Sequence, residues 1–189
     1  MRNKPNRTGP TGVPARPKSV WTKWRGCDWK QGSSSMNIHP DFEDLLRLLE
    51  EHGVEYMIVG GYAVAYHGHP RFTKDIDVFF QRSEDNASRL RQALIGFGFR
   101  EEDLPLEAFT TVGNVLTFGV VPTRVDLVNE IDGVTYEEAR PNVVRGTYGG
   151  VEVTFIGFDD LIKNKKATPR ARDKGDVEEL TQREDGTDG

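Results

Sequence analysis

At 189 residues, with 36% apolar side chains and a formal charge of −5, the chain has room for one domain and a tail. A single cysteine, Cys27, excludes an intrachain disulfide, and four histidines without cysteine pairs give no basis for a structural zinc site. No apolar run nears the ~20 residues a membrane helix needs, and no apolar segment follows the basic N-terminus, so a soluble protein of the reducing cytoplasm is expected.

Residues 1–35 carry eight Lys/Arg against one acid, Asp28, which leaves 17 basic and 29 acidic side chains, a formal −12, for the rest. So acidic a body is a poor general binder of nucleic acid. The basic segment could act as a nucleic-acid-binding arm, with Trp21, Trp24 and Trp29 as stacking groups. Its Pro, Gly, Ser and charge, without a hydrophobic period, predict disorder instead. Met36-Asn37-Ile38-His39-Pro40-Asp41 reads as a natural start, so residues 1–35 are taken as an extension or non-native segment.

Residues 41–51 predict a helix with Leu45, Leu46, Leu48 and Leu49 as its apolar stripe, Pro40 at its start and Gly53 beyond its end. A buried strand is expected over 54–59, a short helix over 61–67 and a second strand over 75–80. Ser83-Glu84-Asp85 opens a helix that buries Leu90, Ala93, Leu94 and Phe97 and closes at Gly98. Residues 100–110 carry no clear period. Two strand-like runs, 115–121 and 124–130, flank Pro122-Thr123 as one hairpin, and 142–147 and 151–155 flank Gly149-Gly150 as another. Helix resumes from Phe158, breaks near Pro169 and continues over 171–180, and the polar residues 182–189 form a frayed tail. Mixed strands with helices to one side make an α/β (α+β) single domain over 36–181.

The chemistry concentrates in Thr73-Lys74-Asp75-Ile76-Asp77-Val78-Phe79-Phe80. A strand puts alternate side chains on one face, so Asp75 and Asp77 point the same way while Ile76 and Val78 enter the core. Two carboxylates so placed repel, and Mg²⁺ or Mn²⁺ bound by hard oxygen ligands removes that repulsion. Asp126, in Arg124-Val125-Asp126-Leu127-Val128, is a third strand carboxylate. Upstream, an apolar strand runs into Gly60-Gly61 and a helix. Glycine doublet, Asp-x-Asp and a later strand Asp together suggest two-metal phosphoryl chemistry. The bland alternatives are two solvated carboxylates, a simple strand–helix turn at the glycines, and a solvated helix face for Lys163, Lys165 and Lys166.

The segment from Val59 to Asp77 resembles the polymerase-beta-like nucleotidyltransferase superfamily, and within it the small stand-alone prokaryotic enzymes related to AbiEii-type toxin transferases and to aminoglycoside and lincosamide nucleotidyltransferases. Gly60, Gly61, Arg71, Thr73, Asp75 and Asp77 match its Gly-Gly and Arg-x-Thr-x-Asp-apolar-Asp pattern, and Asp126 matches its later strand Asp. Lys165, Arg170, Asp173 and Asp176 fall at the spacing of its closing helix motif, with Pro169, Lys174 and Gly175 as departures.

The resemblance implies a mixed sheet with flanking helices and transfer of a nucleoside monophosphate from an NTP, ATP first, to an acceptor hydroxyl. It assigns Asp75, Asp77 and Asp126 as catalytic and metal-binding, and Gly60, Gly61, Arg71, Thr73, Lys165 and Arg170 as nucleotide-binding. The acceptor stays open between tRNA, a protein side chain and a small molecule, and substrate choice must come from a partner, a homo-oligomer or short loops. Two other readings are a non-catalytic nucleotide-binding or regulatory half of a two-gene module, and a nucleic-acid binder through the basic tail.

Overall fold

The computed structural model describes residues 39–69, 73, 75–121 and 123–181. The expectations for residues 1–35 and 182–189, and for Arg71, lie outside the described residues.

The chain runs α1 (Pro40–Glu51), β1 (Tyr56–Val59), α2 (Gly60–Tyr66), β2 (Asp75–Phe80), α3 (Glu84–Phe97), α4 (Glu107–Thr110), β3 (Val115–Phe118), β4 (Arg124–Val128), α5 (Tyr136–Ala139), β5 (Val144–Tyr148), β6 (Val151–Phe155), α6 (Phe158–Ala167) and α7 (Ala171–Thr181). The strands form one mixed sheet in the order β3-β4-β2-β1-β6-β5. β1 is antiparallel to β2 and parallel to β6, and β2 is parallel to β4. The β3–β4 and β5–β6 hairpins close the two edges.

Local sequence explains the helix ends. His39 caps α1 through its side chain, with Pro40 in the first turn, where its missing N–H costs no hydrogen bond. Phe42, Leu45, Leu46 and Leu49 are buried, and Leu48 is only partly so. Ser83 accepts the Asn86 N–H at the start of α3, and Gly98 ends that helix at φ 115, in the left-handed region open to glycine. Asn86 is fully buried. Its amide takes the Glu55 N–H at 2.7 Å and donates to the carbonyls of Glu55 and Gln81, which ties the start of β1 to the end of β2.

The sheet is covered on both faces, not on one. Every residue of β1 is buried. Phe79 and Phe80 point to opposite faces, and each meets an aromatic partner: Tyr136 at 5.3 Å and Phe109 at 6.4 Å between ring centroids. Those partners come from α5 and α4, short helices in segments that the sequence left unassigned. The strand ends also shift. β3 stops at Phe118 because the chain turns at Gly119, whose φ is 82 and where an added Cβ would lie 2.1 Å from the Thr123 carbonyl oxygen. β5 starts at Val144 because residues 140–142 form a 3-10 turn. Among the described residues no helix is long and apolar enough to cross a membrane.

Candidate active site

The register of the central strands builds the site. β2 and β4 pair in parallel with Asp75 opposite Arg124 and Asp77 opposite Asp126. Residues paired across a sheet share a face, so all three carboxylates stand on one side. On that side Thr117 of β3 lies opposite Asp126, and Val59 of β1 lies opposite Asp77. Between these positions Ile76, Val78, Val125 and Leu127 point the other way and are fully buried. Their burial pins the register, because a slip of one residue would turn the carboxylates into the core.

Each carboxylate has its own environment. Thr73 Oγ1 lies 3.1 Å from Asp75 Oδ1, and Thr117 Oγ1 donates to Asp126 Oδ1 at 2.8 Å. Arg124 Nη2 donates to Asp75 Oδ2 and, at 3.1 Å, to Asp126 Oδ2. Burial, then the charges of Asp75 and Asp126, push the Asp77 carboxyl up to about 7, while the positive charges of Lys165 and Arg124 pull against that rise. Among the described residues three carboxylates meet one touching guanidinium, which does not reach Asp77.

Gly60 makes room for this arrangement. Its φ is 65, and a Cβ built there would lie 2.0 Å from Asp77 Oδ2. The carboxylate therefore occupies the space a side chain at position 60 would fill, and the backbone conformation itself favours glycine. Gly61 is buried in the first turn of α2.

Lys165 behaves differently from a lysine with its head in solvent. Its stem lies on the buried side of α6 beside Leu161 and Ile162, as the helical period predicts. Its ammonium is buried too, and binds Asp173 Oδ1 at 2.5 Å and Asp176 Oδ2 at 3.0 Å, which joins α6 to α7. Burial acts to raise the Asp173 carboxyl, but the hydrogen bonds from Lys165 and Thr168 outweigh it and hold the group below its usual range. The Lys165 charge still reaches Asp77. Arg170 is exposed ahead of α7, and among the described residues no hydrogen bond or ion pair joins it to the three carboxylates. His67 is occupied structurally, with Nε2 2.8 Å from the Ile156 carbonyl oxygen.

Arg124 and Thr117 touch these carboxylates, and sequence reasoning passed over both. Arg124-x-Asp126 repeats the alternation of Asp75-x-Asp77, so the same face rule could have found the arginine. Thr117 becomes visible only through the β3–β4 register. A cleft of about 430 Å³ is lined by Phe79, Glu130, Ile131, Tyr136, Glu138 and Lys163 among others, and by none of the three carboxylates. Phe79 follows Asp77 on the same face of β2, two residues on.

A family model described as "Nucleotidyl transferase of unknown function (DUF2204)" matches residues 39–187. Two solved structures resemble the chain. A crystal structure of a candidate nucleotidyltransferase from Thermotoga maritima has 14% identity and a TM-score of 0.49, covering 80% of this chain and 95% of that one. The solution structure of the antibiotic-resistance factor ANT(2'')-Ia has 14% identity and a TM-score of 0.50, covering 76% of this chain and 82% of that one. At such identity the second likeness supports the fold alone. No curated protein matches the chain in sequence.

Proposed function

The chain belongs to that family of nucleotidyl transferases, and from this premise we propose that Asp75, Asp77 and Asp126 form the catalytic centre for transfer of a nucleoside monophosphate from an NTP, ATP first, to an acceptor hydroxyl. The observation that carries the reading is the β2–β4 register, which gathers three carboxylates of distant sequence position on one sheet face. The cluster fits Mg²⁺ or Mn²⁺: its donors are hard oxygens, and burial with two like charges leaves Asp77 short of positive charge. Divalent cations bound to these three carboxylates would neutralise the triphosphate and acidify the attacking hydroxyl.

The chain's own residues then have separable tasks. Thr73 and Thr117 fix the orientation of Asp75 and Asp126. Asp126 would take the proton of the acceptor hydroxyl, directly or through a water. Gly60 keeps the space at Asp77 open, and the backbone of Gly60 and Gly61 allows close approach of phosphate. An ammonium has three N–H donors, and two of those on Lys165 are engaged by Asp173 and Asp176, so one remains for a phosphate oxygen. Arg71 and Arg170 complete the proposed nucleotide-binding set. We assign the domain to residues 36–181, with 1–35 and 182–189 as extensions. A chain starting at Met36 should therefore melt at the same temperature as the full chain, and a large fall would place residues 1–35 in the fold.

Gly60→Ala should lower both stability and transfer. The substitution forces a left-handed conformation on an L side chain and displaces the Asp77 carboxylate, at about 1–2 kcal/mol for the backbone alone. Thermal melting and a transfer assay check it, and an alanine variant as active as the wild type would remove Gly60 from the site.

The reading as a whole is tested by incubating the protein with Mg²⁺, cell extract and each NTP labelled at the α-phosphate. Label entering one fraction of the extract, with pyrophosphate released, is the expected result and identifies the acceptor class. Label that enters no fraction with any of the four nucleotides would contradict it.

A further inference from the structure

Arg124 stands against two of the three carboxylates. One nitrogen, Nη2, serves both Asp75 Oδ2 and Asp126 Oδ2, so the guanidinium bridges two strands at the centre of the cluster. Its Nε–H is buried and has no hydrogen-bond partner among the described residues, and its side chain is 40% exposed. Among the described residues no group of three carboxylates is already arranged to hold a metal ion. Asp126 keeps a second anchor in Thr117 and Asp75 in Thr73, so both would stay oriented if the arginine withdrew.

We propose that Arg124 is a stand-in cation: it holds the oxygens of Asp75 and Asp126 in the metal-free protein, gives them up when a divalent ion is taken, and then pairs with the triphosphate of the incoming nucleotide. This rests on the metal-binding reading above and adds an order of events to it. A free divalent ion must compete with a resident positive charge, and the released guanidinium loses both its carboxylate partners. An ion arriving with an NTP brings one, and a planar guanidinium suits phosphate oxygens. Metal and nucleotide therefore favour each other's binding, and the coupling is reciprocal.

The test titrates Mn²⁺ into the full chain and follows the paramagnetic signal of free Mn²⁺, with and without a non-hydrolysable NTP. Without nucleotide, Arg124→Gln should bind Mn²⁺ about tenfold more tightly than the wild type, the low end for losing a charge-assisted competitor on a half-exposed side chain. With nucleotide that gain should vanish or reverse, because the variant lacks the phosphate partner. Arg124→Lys, which keeps the charge and loses the planar fork, should gain several-fold, and it decides the question if the glutamine variant does not fold. Unchanged or weaker Mn²⁺ affinity in a folded variant, with Mn²⁺ still bound in the presence of nucleotide, overturns the stand-in role and leaves the metal site intact. No Mn²⁺ bound by the wild type even with nucleotide overturns the metal reading itself.

Discussion

Asp77→Asn should abolish metal-dependent transfer and, without metal, make the protein more stable at pH 8. The amide keeps the shape and removes the charge of a central ligand. The expected loss exceeds the roughly 10–100-fold typical of losing a partner one layer out from a metal. The stability half follows from the raised carboxyl, which titrates near 7 in the fold and near 4 when unfolded. Between those values the folded state holds a proton that the unfolded state has lost, so this group stabilises the fold below about pH 4, and that contribution is lost as pH rises through about 7. The loss is of order 4 kcal/mol. Melting the metal-free wild type and variant from pH 4 to pH 8 checks it: the wild type should weaken across this window, and the variant should lack that component. An asparagine variant with full turnover at saturating Mg²⁺ would remove Asp77 from the mechanism.

Lys165→Ala should destabilise the protein by about 3–5 kcal/mol, because it leaves Asp173 and Asp176 buried without their shared cation. The effect on the fold should exceed that on nucleotide affinity, since only one N–H of the ammonium remains for phosphate. Chemical denaturation measures the first, and isothermal titration with a non-hydrolysable NTP below the melting range measures the second. Lys163→Ala serves as control: Lys163 is exposed, and its contact with Glu138 is a 3.6 Å surface pair. The depressed Asp173 carboxyl adds a pH signature. Its stabilisation is present above the unfolded pKa and lost as pH falls through the lower folded value, so the wild type and the alanine variant should converge toward acid. A Lys165→Ala variant as stable as the wild type at neutral pH would mean that the buried triad does not hold α6 to α7.

The parts of the site legible in sequence were those carried by short-range alternation. Asp75-x-Asp77 between buried Ile76 and Val78 announced its own face, and Asp126 did the same in β4. What alternation could not supply was the register between strands some fifty residues apart. Arg124 and Thr117 became partners only once β4 was set between β2 and β3. The lysine cluster was legible only in part. Helical spacing correctly placed the Lys165 stem on the core side, but it carried no information about where α7 would bring Asp173 and Asp176. The short helices α4 and α5 span four residues each, barely one turn, too short for a hydrophobic period to show. Their contribution is tertiary: Phe109 and Tyr136 cover the two faces of β2.

The central claim, that Asp75, Asp77 and Asp126 together hold the divalent ions of a nucleotidyl transferase, is tested most directly by anomalous diffraction from crystals of the full chain grown with Mn²⁺ and a non-hydrolysable NTP. The account predicts Mn²⁺ bound by oxygens of all three carboxylates and of the triphosphate, with Arg124 no longer between Asp75 and Asp126. Nucleotide bound with its Mn²⁺ away from this face, and the Arg124 bridge still in place, would contradict it.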